Sequence, residues 1–265
     1  EKLKLRIPNM KLEGLVAFVT GGASGLGAET VKQLVENGCK VGFADLNEEN
    51  GLALLKEVGE ENGIFIELDV TDEKAVKKAI DATVEAFGAL HIAVNCAGIA
   101  SVGQTITSKS MMDFNTLKLV TEINVYGTIY VAAHAAKAMS KNTPVNDRGE
   151  KGVIINVASV AAFEGQRGQV AYSASKGAIA GITCPMARDL GRFGIRVCTI
   201  APGTIMSPML NAQSDKMKKL FLKDTPLGRF GEADEFAHMV RACVENSYLS
   251  GQTLRMDGGT VLSYN

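Results

Sequence analysis

Short apolar runs alternate with longer amphipathic segments along most of the chain. Runs rich in β-branched residues predict buried strands, and apolar residues spaced three or four positions apart predict helices with one buried face. The pattern predicts strands at residues 14–20, 40–46, 63–70, 91–98, 152–159, 194–203 and 252–259. It predicts helices at residues 25–37, 48–59, 72–87, 116–140, 170–192 and 232–246.

This alternation of strand and helix indicates the fold class. Strands joined by helices of ten or more residues pair in parallel, because a parallel pair needs a long crossover connection. We therefore expect an α/β, doubly wound parallel sheet of about seven strands with helices on both faces. No flexible linker divides the 265 residues, so one domain spanning 1–265 is predicted. Thr71 is expected to cap the helix at 72–87, and residues 141–151 to form a polar surface excursion.

Residues 204–231 interrupt the pattern with prolines, glycines and large flexible side chains. The prolines are Pro208 and Pro226, and the flexible apolar residues are Met206, Met209, Met217 and Phe221. Two interpretations stay open for this segment. It is either a mobile substrate loop, in which methionines adapt to varied groups, or an amphipathic core helix.

Composition and charge exclude several classes of protein. Hydrophobic residues make up 46% and charged residues 22%, which is ordinary for a globular chain. The net charge of -1 predicts no direct nucleic-acid binding, and no apolar run is long enough to predict a membrane span. The five cysteines and three histidines lack zinc-site spacing, so we expect free thiols in a reducing compartment and no metal.

A glycine-rich turn, TGGASGLG at 20–27, lies between the first predicted strand and the first predicted helix. Gly21 permits a tight turn, Gly25 allows a diphosphate to approach the backbone, and Gly27 allows helix and strand to pack closely. The spacing is G-x-x-x-G-x-G rather than the common dinucleotide G-x-G-x-x-G. In this position the turn favours cofactor binding over a purely structural role.

Two carboxylates at strand ends extend the predicted cofactor site. Asp45 follows Gly27 by 18 positions (45 − 27), where dinucleotide-binding folds place an acid on the ribose hydroxyls. A carboxylate there repels a 2′-phosphate, so NAD is predicted in preference to NADP. Asp69 and Val70 are expected to frame the adenine ring. The alternative for both aspartates is an ordinary turn or cap residue.

The most specific pattern is Ser159 followed by Tyr172-Ser-Ala-Ser-Lys176. Tyr172 and Lys176 are one helical turn apart on the same face. A tyrosine with a pKa near 10 is a poor base, but a nearby ammonium and a nicotinamide cation both favour the phenolate. The pattern therefore predicts proton transfer by Tyr172, with Ser159 orienting the substrate oxygen. A surface Tyr–Lys pair is the alternative.

Taken together, these motifs resemble the signature of the short-chain dehydrogenase/reductase family. The shared features are TGGASGLG, Asp45, NCAG (95–98), Asn124, Ser159, YSASK (172–176) and PG (202–203), in order along nearly the whole chain. The resemblance implies a single-domain Rossmann-type fold. It also implies a catalytic set of Asn124, Ser159, Tyr172 and Lys176, in which Asn124 supports a water on the proton relay.

The resemblance also implies which residues contact the ligands. The cofactor contacts would be Gly21, Ser24, Gly25, Leu26, Gly27, Asp45, Asp69, Val70, Cys96, Gly98, Tyr172, Lys176, Pro202, Gly203, Ile205 and Ser207. The substrate contacts would be Ser159, Gln166 and Tyr172. Ser207 stands where the family often has threonine, and it keeps the hydroxyl expected to bond the nicotinamide carboxamide.

Within the family, residues 152–179 and 187–203 are most similar to members that act on 3-hydroxyacyl-CoA. This likeness implies NAD-dependent oxidation of a short-chain 3-hydroxyacyl-CoA, with hydroxysteroids as a further substrate class. It implies a homotetramer in mitochondria, with the cytoplasm as the alternative location. A 3-oxoacyl carrier-protein reductase shares every catalytic residue. A scaffold subunit of a tRNA-processing complex, bound to a methyltransferase partner, is a third hypothesis.

Overall fold

A computed structural model of the chain describes residues 10–262. Seven strands within these residues form one sheet in the order β3-β2-β1-β4-β5-β6-β7, and every neighbouring pair is parallel. The strands are β1 (Val16–Thr20), β2 (Lys40–Asp45), β3 (Gly63–Glu67), β4 (Ile92–Asn95), β5 (Gly152–Val157), β6 (Ile195–Pro202) and β7 (Gln252–Met256). The order reverses between β1 and β4, and the predicted doubly wound fold is confirmed.

Helices cover both faces of this sheet. They are α1 (Gly25–Glu36), α2 (Glu48–Val58), α3 (Glu73–Phe87), α4 (Phe114–Thr121), α5 (Thr128–Met139), α6 (Val170–Gly191), α7 (Pro208–Asn211), α8 (Asp215–Lys223) and α9 (Ala233–Glu245). Side chains of α1, α2 and α9 pack on one face of the sheet. Side chains of α3, α5 and α6 pack on the other face.

Burial of the central strands explains their uniformly apolar sequences. Every residue of β1, β4, β5 and β6 is buried, because helices shield both faces. The edge strands β3 and β7 are only half-buried. The catalytic candidates therefore stand on the best-shielded part of the sheet, at its carboxyl edge, where open α/β sheets bind ligands.

Several predicted boundaries are wrong at this edge. β3, β4, β5 and β7 end before the predicted residues 70, 98, 159 and 259. The predicted cap Thr71 is also wrong. Asp72 is the N-cap of α3, and its carboxylate accepts from the backbone N–H groups of Lys74 and Ala75. Thr71 donates to the Asp69 carboxylate instead, at 2.8 Å.

The long helix predicted at 116–140 is helical throughout but is not one regular α-helix. A π-helical segment, Glu122–Gly127, joins α4 to α5. Asn124 lies inside this wider turn and is buried. Single π turns inside α-helices are rare and occur often at functional sites. The predicted catalytic residue Asn124 therefore lies in the irregular turn of this helix.

The 204–231 segment contains the two short helices α7 and α8. The helix alternative for Met217 and Phe221 is confirmed in part, because both lie half-buried on α8, but no residue of α8 is fully buried and it is not a core helix. No helix within residues 10–262 combines the length and the apolar character needed to cross a bilayer. The mildly basic stretch EKLKLRIPNMKLEG at the start of the sequence falls mostly in residues 1–9, outside the described residues.

Candidate active site

The hydroxyl groups of Ser159 and Tyr172 meet at the carboxyl end of β5. Ser159 lies just beyond the strand and caps a single 3-10 turn, Val160–Ala162, through a bond from the Ala161 N–H at 3.1 Å. Tyr172 lies in the first turn of α6 and is hydrogen-bonded to Ser159. The loop between β5 and α6 thus brings the Tyr172 hydroxyl next to the Ser159 hydroxyl, as the motif spacing predicts.

Lys176 lies one turn below Tyr172 on α6 and is 7% exposed. Its ammonium donates to the Val157 carbonyl at 2.8 Å and lies 5.8 Å from the centre of the Tyr172 ring. The carbonyl that ends β5 therefore fixes this amine beneath the phenol.

Asn124 closes the same site from the π segment. Its amide oxygen accepts from the Ile99 N–H at 2.8 Å, and its amide nitrogen donates to the Ile99 carbonyl at 2.9 Å. The same nitrogen donates to the Ser175 hydroxyl at 3.0 Å, beside Lys176. Asn124 therefore joins the segment after β4 to the catalytic helix.

Gly98 provides room for this arrangement. A side chain at Gly98 would place its Cβ 3.1 Å from the Asn124 amide oxygen and 3.6 Å from the Lys176 ammonium. The predicted residues Gly98, Asn124 and Lys176 are thus brought together. Because Gly98 carries no side chain, it leaves space beside the Lys176 ammonium for a ligand.

Burial shifts the pKa values of Tyr172 and Lys176. Burial lowers the pKa of Lys176 to about 8, and it raises the pKa of Tyr172. The hydrogen bond from Ser159 opposes the rise at Tyr172. The expectation that the protein side chains lower the pKa of Tyr172 is therefore wrong for the chain by itself, because desolvation of the phenolate dominates.

The glycine turn is built for close approach. A Cβ at Gly27 would lie 2.0 Å from the Gly21 carbonyl oxygen, so no side chain fits there. Gly25 begins α1, and Ser24 precedes it without making a side-chain capping bond. Leu26, the next residue of α1, packs against the core. The first N–H groups of α1 consequently face the turn without a side-chain acceptor, as a bound diphosphate requires.

Asp45 connects β2 to this turn. One carboxylate oxygen accepts from the Ala23 N–H and the other from the Asn47 N–H, each at 3.1 Å. The turn role offered as an alternative for Asp45 is therefore present. The carboxylate also holds the glycine turn, and its remaining lone pairs are available for ribose hydroxyls. No lysine or arginine occurs in 20–27 or 46–50.

Residues after β3 and β4 complete the predicted adenine side. Asp69 accepts from the Thr71 N–H at 2.9 Å and is exposed, whereas Val70 is buried against Gly127 of the π segment. The thiol of Cys96 is hydrogen-bonded to Thr30 of α1, and burial raises its pKa to about 12. Cys96 is therefore a neutral, unreactive side chain beside the glycine turn.

The chain after β6 contacts the site through one end of the 204–231 segment. Pro202 ends β6, Gly203 packs on Asp257, and Ile205 is buried. Ser207 caps α7 and lies 3.6 Å from the position of a Cβ at Gly25. Ser207 thus faces the glycine turn, on the side where the resemblance places the cofactor.

Gln166 lies in the loop between the two catalytic hydroxyls and is 9% exposed. Its side-chain nitrogen is buried and has no hydrogen-bond partner within the described residues. A buried donor without a partner is costly, so this nitrogen has an unused donor for a ligand or a water. This observation supports the predicted role of Gln166 on the substrate side.

The comparisons with known proteins agree with this geometry. A family model described as Enoyl-(Acyl carrier protein) reductase matches residues 21–261. The 3-hydroxyacyl-CoA dehydrogenase type-2 of Bos taurus is 45% identical over 250 residues, which cover 93% of this chain and 95% of that protein. The 3-oxoacyl-(acyl-carrier-protein) reductase of Thermotoga maritima is 34% identical over 257 residues, which cover 96% and 100%.

A solved structure matches as well. The 3-hydroxyacyl-CoA dehydrogenase type-2 from Mycobacterium avium is 35% identical, with a TM-score of 0.89 over 97% of this chain and 100% of that chain. The chain belongs to the short-chain dehydrogenase/reductase family. It is accordingly a dehydrogenase that uses a nicotinamide cofactor.

Two cavities lie away from the catalytic hydroxyls of this short-chain dehydrogenase. One of about 410 Å³ lies between α1 and α9 and is lined by Gln33, Glu36, Asn37, Asp234, Glu235, His238 and Arg241. A smaller one of about 180 Å³ includes Ile205, Leu227 and Met256.

All five cysteines are free thiols, as predicted: Cys39, Cys96, Cys184, Cys198 and Cys243. Within residues 10–262, no three histidine, cysteine or acidic side chains are grouped as metal ligands. Sequence reasoning overlooked Ser175, whose hydroxyl accepts from Asn124 and donates to the Tyr172 carbonyl at 2.7 Å. Its place inside YSASK was the available signal, because that motif puts it between two catalytic residues.

Replacing Lys176 with methionine tests the burial of this amine through stability. An ordinary lysine has a pKa of 10.5, whereas Lys176 in the folded chain has one of about 8. Between these values the unfolded chain binds more protons, so the free energy of unfolding rises with pH across the window. Below pH 8 the full cost is about 3 kcal/mol, and above pH 10.5 it disappears.

We expect denaturant unfolding of the cofactor-free enzyme to show this slope from pH 7 to 10. The Lys176→Met variant lacks the ammonium, so the stability difference between the two proteins changes by about 2.5 kcal/mol over that range. Lys78→Met, which alters an exposed lysine of α3, serves as the control. A difference that stays constant with pH would show that Lys176 is not desolvated.

Proposed function

We propose that this enzyme oxidises the secondary alcohol of a short-chain 3-hydroxyacyl-CoA to the 3-oxo thioester with NAD. The observation that carries the proposal is the cluster of Ser159, Tyr172, Lys176 and Asn124 beside a glycine turn that Asp45 holds. The substrate class is supported by the relatives named 3-hydroxyacyl-CoA dehydrogenase type-2.

The catalytic side chains have separate roles in this proposal. Ser159 turns its hydroxyl to the substrate oxygen and orients it, and the Tyr172 phenolate removes the hydroxyl proton. A nicotinamide bound beside these residues would supply the acceptor for the hydride of the carbinol carbon. The alcohol thereby becomes a ketone, and one proton is released.

Lys176 and Asn124 support the proton transfer. The Lys176 ammonium, held by the Val157 carbonyl, stabilises the phenolate that burial disfavours. It would also hold the ribose of a bound nicotinamide cofactor, and Asn124 supports the return of the proton to solvent. Because Asn124 bonds Ile99 and Ser175, it also keeps the cleft wall in register with the catalytic helix.

Asp45 supports NAD as the cofactor. Its carboxylate ends β2, and residues 46–50 add Glu48 and Glu49 nearby. This concentration of negative charge disfavours the 2′-phosphate of NADP. Several other predicted cofactor contacts lie at the same turn. The turn itself contains Gly21, Ser24, Gly25, Leu26 and Gly27, and Cys96 and Ser207 lie against it. Gly98 lies beside Asn124 and Lys176 instead.

The direct test measures NADH formation over a panel of alcohols. We expect the highest kcat/KM with 3-hydroxybutyryl-CoA and NAD, with longer acyl-CoAs and hydroxysteroids as comparison arms. Asp45→Asn should narrow the preference for NAD over NADP about ten- to a hundredfold, because a charged hydrogen bond contributes about 1.5–3 kcal/mol. NADPH-linked reduction of carrier-protein-bound 3-oxoacyl groups as the faster reaction would favour the reductase alternative instead.

The proposal includes a homotetramer in mitochondria, as the family resemblance implies. Large apolar side chains are exposed along α4 and the π segment, namely Phe114 (53%), Leu119 (50%) and Tyr126 (50%). Adjacent exposed apolar residues on helices commonly mark subunit contacts. Light scattering of the purified protein measures the assembly, and a monomeric mass would contradict this part of the proposal.

A further inference from the structure

A stripe of three lysines follows one side of α8. Lys216, Lys219 and Lys223 are all exposed. At 100° per residue their positions fall within about 60° of the helix circumference. None of them forms an ion pair within residues 10–262. The stripe therefore presents three positive charges that pair with no acidic side chain among the described residues.

The other side of α8 is directed toward the protein. Met217, Leu220 and Phe221 are half-buried, and Lys218 donates to the Asn211 carbonyl at 3.2 Å. The apolar side chains thus fix which way the helix faces. As a result, the lysine stripe points outward from the surface that α8 covers.

The start of the 204–231 segment lies against the cofactor side of the cleft. Ser207 and Pro208 approach within 3.6 and 3.4 Å of the position that a Cβ at Gly25 would take. Gly25 belongs to the turn proposed to bind the diphosphate. α8 follows α7 after a short connection, so it begins close to that turn.

The end of the segment lies against the substrate side. Thr225, which follows α8, bonds the Thr260 hydroxyl at 3.0 Å. Two residues after Thr260, the Leu262 N–H donates to the Glu164 carboxylate at 3.3 Å. Glu164 lies in the loop that joins the two catalytic hydroxyls. The segment is therefore held on both sides of the cleft, and α8 crosses between them.

We propose that the lysine stripe of α8 binds the phosphate groups of the CoA portion of the substrate. This inference rests on the proposed function. A CoA thioester carries its acyl group on a long flexible arm, and the far end bears a nucleotide with a diphosphate and a 3′-phosphate. When the acyl group lies in the cleft, the phosphates remain outside. An uncompensated cluster of ammonium groups at the rim attracts them.

An anionic membrane is the competing occupant for a basic amphipathic helix. Such helices bury their apolar side in the lipid interface. In α8 that side is half-buried against the protein, so it is not available for lipid. The exposed lysines alone fit a soluble polyanion such as CoA better.

The test replaces all three lysines with glutamine and compares two thioesters of 3-hydroxybutyrate. One carries CoA, and the other carries N-acetylcysteamine, which has the same reacting groups but no phosphate. We expect the KM for the CoA thioester to rise about tenfold, since three surface charge contacts are lost. The KM for the N-acetylcysteamine thioester should change less than twofold. Added salt should raise only the KM of the parent enzyme for the CoA thioester.

The matched control is a triple glutamine variant of α3, at Lys74, Lys77 and Lys78, which should leave both KM values unchanged. Equal rises for both thioesters, or no rise for either, would overturn the inference. Calorimetric titration with free CoA should show the same loss of affinity, and it tests the stripe even if neither thioester is oxidised. Absence of oxidation would overturn the proposed function alone. If the parent enzyme sediments with phosphatidylserine vesicles and the triple glutamine variant of α8 does not, the stripe binds membranes and the inference is overturned.

Discussion

Tyr172→Phe is expected to lower kcat about 10²- to 10⁴-fold, because the change removes the general base. The phenylalanine ring keeps the packing of α6, so the dissociation constant of NADH should stay within about twofold. Fluorescence titration measures that constant, and initial rates with saturating NAD measure kcat. In the parent enzyme, oxidation should accelerate as the pH rises, because burial raises the pKa of Tyr172 and only the phenolate accepts the proton.

Tyr130→Phe is the matched control for the loss of one hydroxyl. Tyr130 lies on α5, where it packs against the core, and it forms none of the hydrogen bonds described at the catalytic site. Its variant should retain both the parent kcat and the parent pH profile. A Tyr172→Phe enzyme with parental turnover, or with an unchanged pH profile, would contradict the assignment of the base.

The second large effect concerns stability, through Arg196 of β6. Its guanidinium is paired with the Glu150 carboxylate, and both side chains are less than a tenth exposed. It also donates to the carbonyls of Cys243, Val244 and Leu249 at 2.7, 2.6 and 3.0 Å. One side chain therefore holds the last turn of α9 to the sheet.

Arg196→Met is expected to lower the free energy of unfolding by about 3–5 kcal/mol, because it leaves Glu150 buried without its charge partner. Denaturant titration at neutral pH measures the loss. Arg188→Met, which alters an exposed arginine of α6, should change stability by less than about 0.5 kcal/mol.

Adding Glu150→Gln to the Arg196 variant separates charge from hydrogen bonding. Removal of the stranded carboxylate should restore part of the lost stability, whereas the carbonyls on α9 stay without a donor. Equal losses in the single and double variants would show that the buried charge is not the cause. A loss no larger than that of Arg188→Met would contradict the structural role itself.

The order of elements and most catalytic positions could be predicted from the sequence, because they depend on local patterns. Buried parallel strands are apolar throughout, and a tyrosine and lysine four apart must share one face of a helix. Strand ends could not be predicted as well. The apolar pattern of β5 continues into Ala158, whose N–H still donates to the Ile200 carbonyl of β6 at 2.8 Å, although the strand itself ends at Val157.

Features that depend on distant partners escaped the sequence pattern. Residues 141–151 have the polar sequence of a surface segment, yet Glu150 is buried, because it pairs with Arg196. That partner is 46 positions away, so the local pattern does not reveal it. The choice of Asp72 over Thr71 as a cap depends on backbone angles at the turn. The upward shift of the Tyr172 pKa reflects desolvation, which spacing alone does not reveal.

The π segment has a consequence for the whole length of helix around it. Val120, Asn124, Thr128, Ala132 and Ala136 are four positions apart, and all are buried. In a regular helix, steps of four would rotate such a row by about 160° from first to last. One residue added to a single turn offsets about 100° of that rotation. The burial of this row and the position of the Asn124 amide therefore depend on the same added residue. A chain without that residue would turn Asn124 away from Lys176.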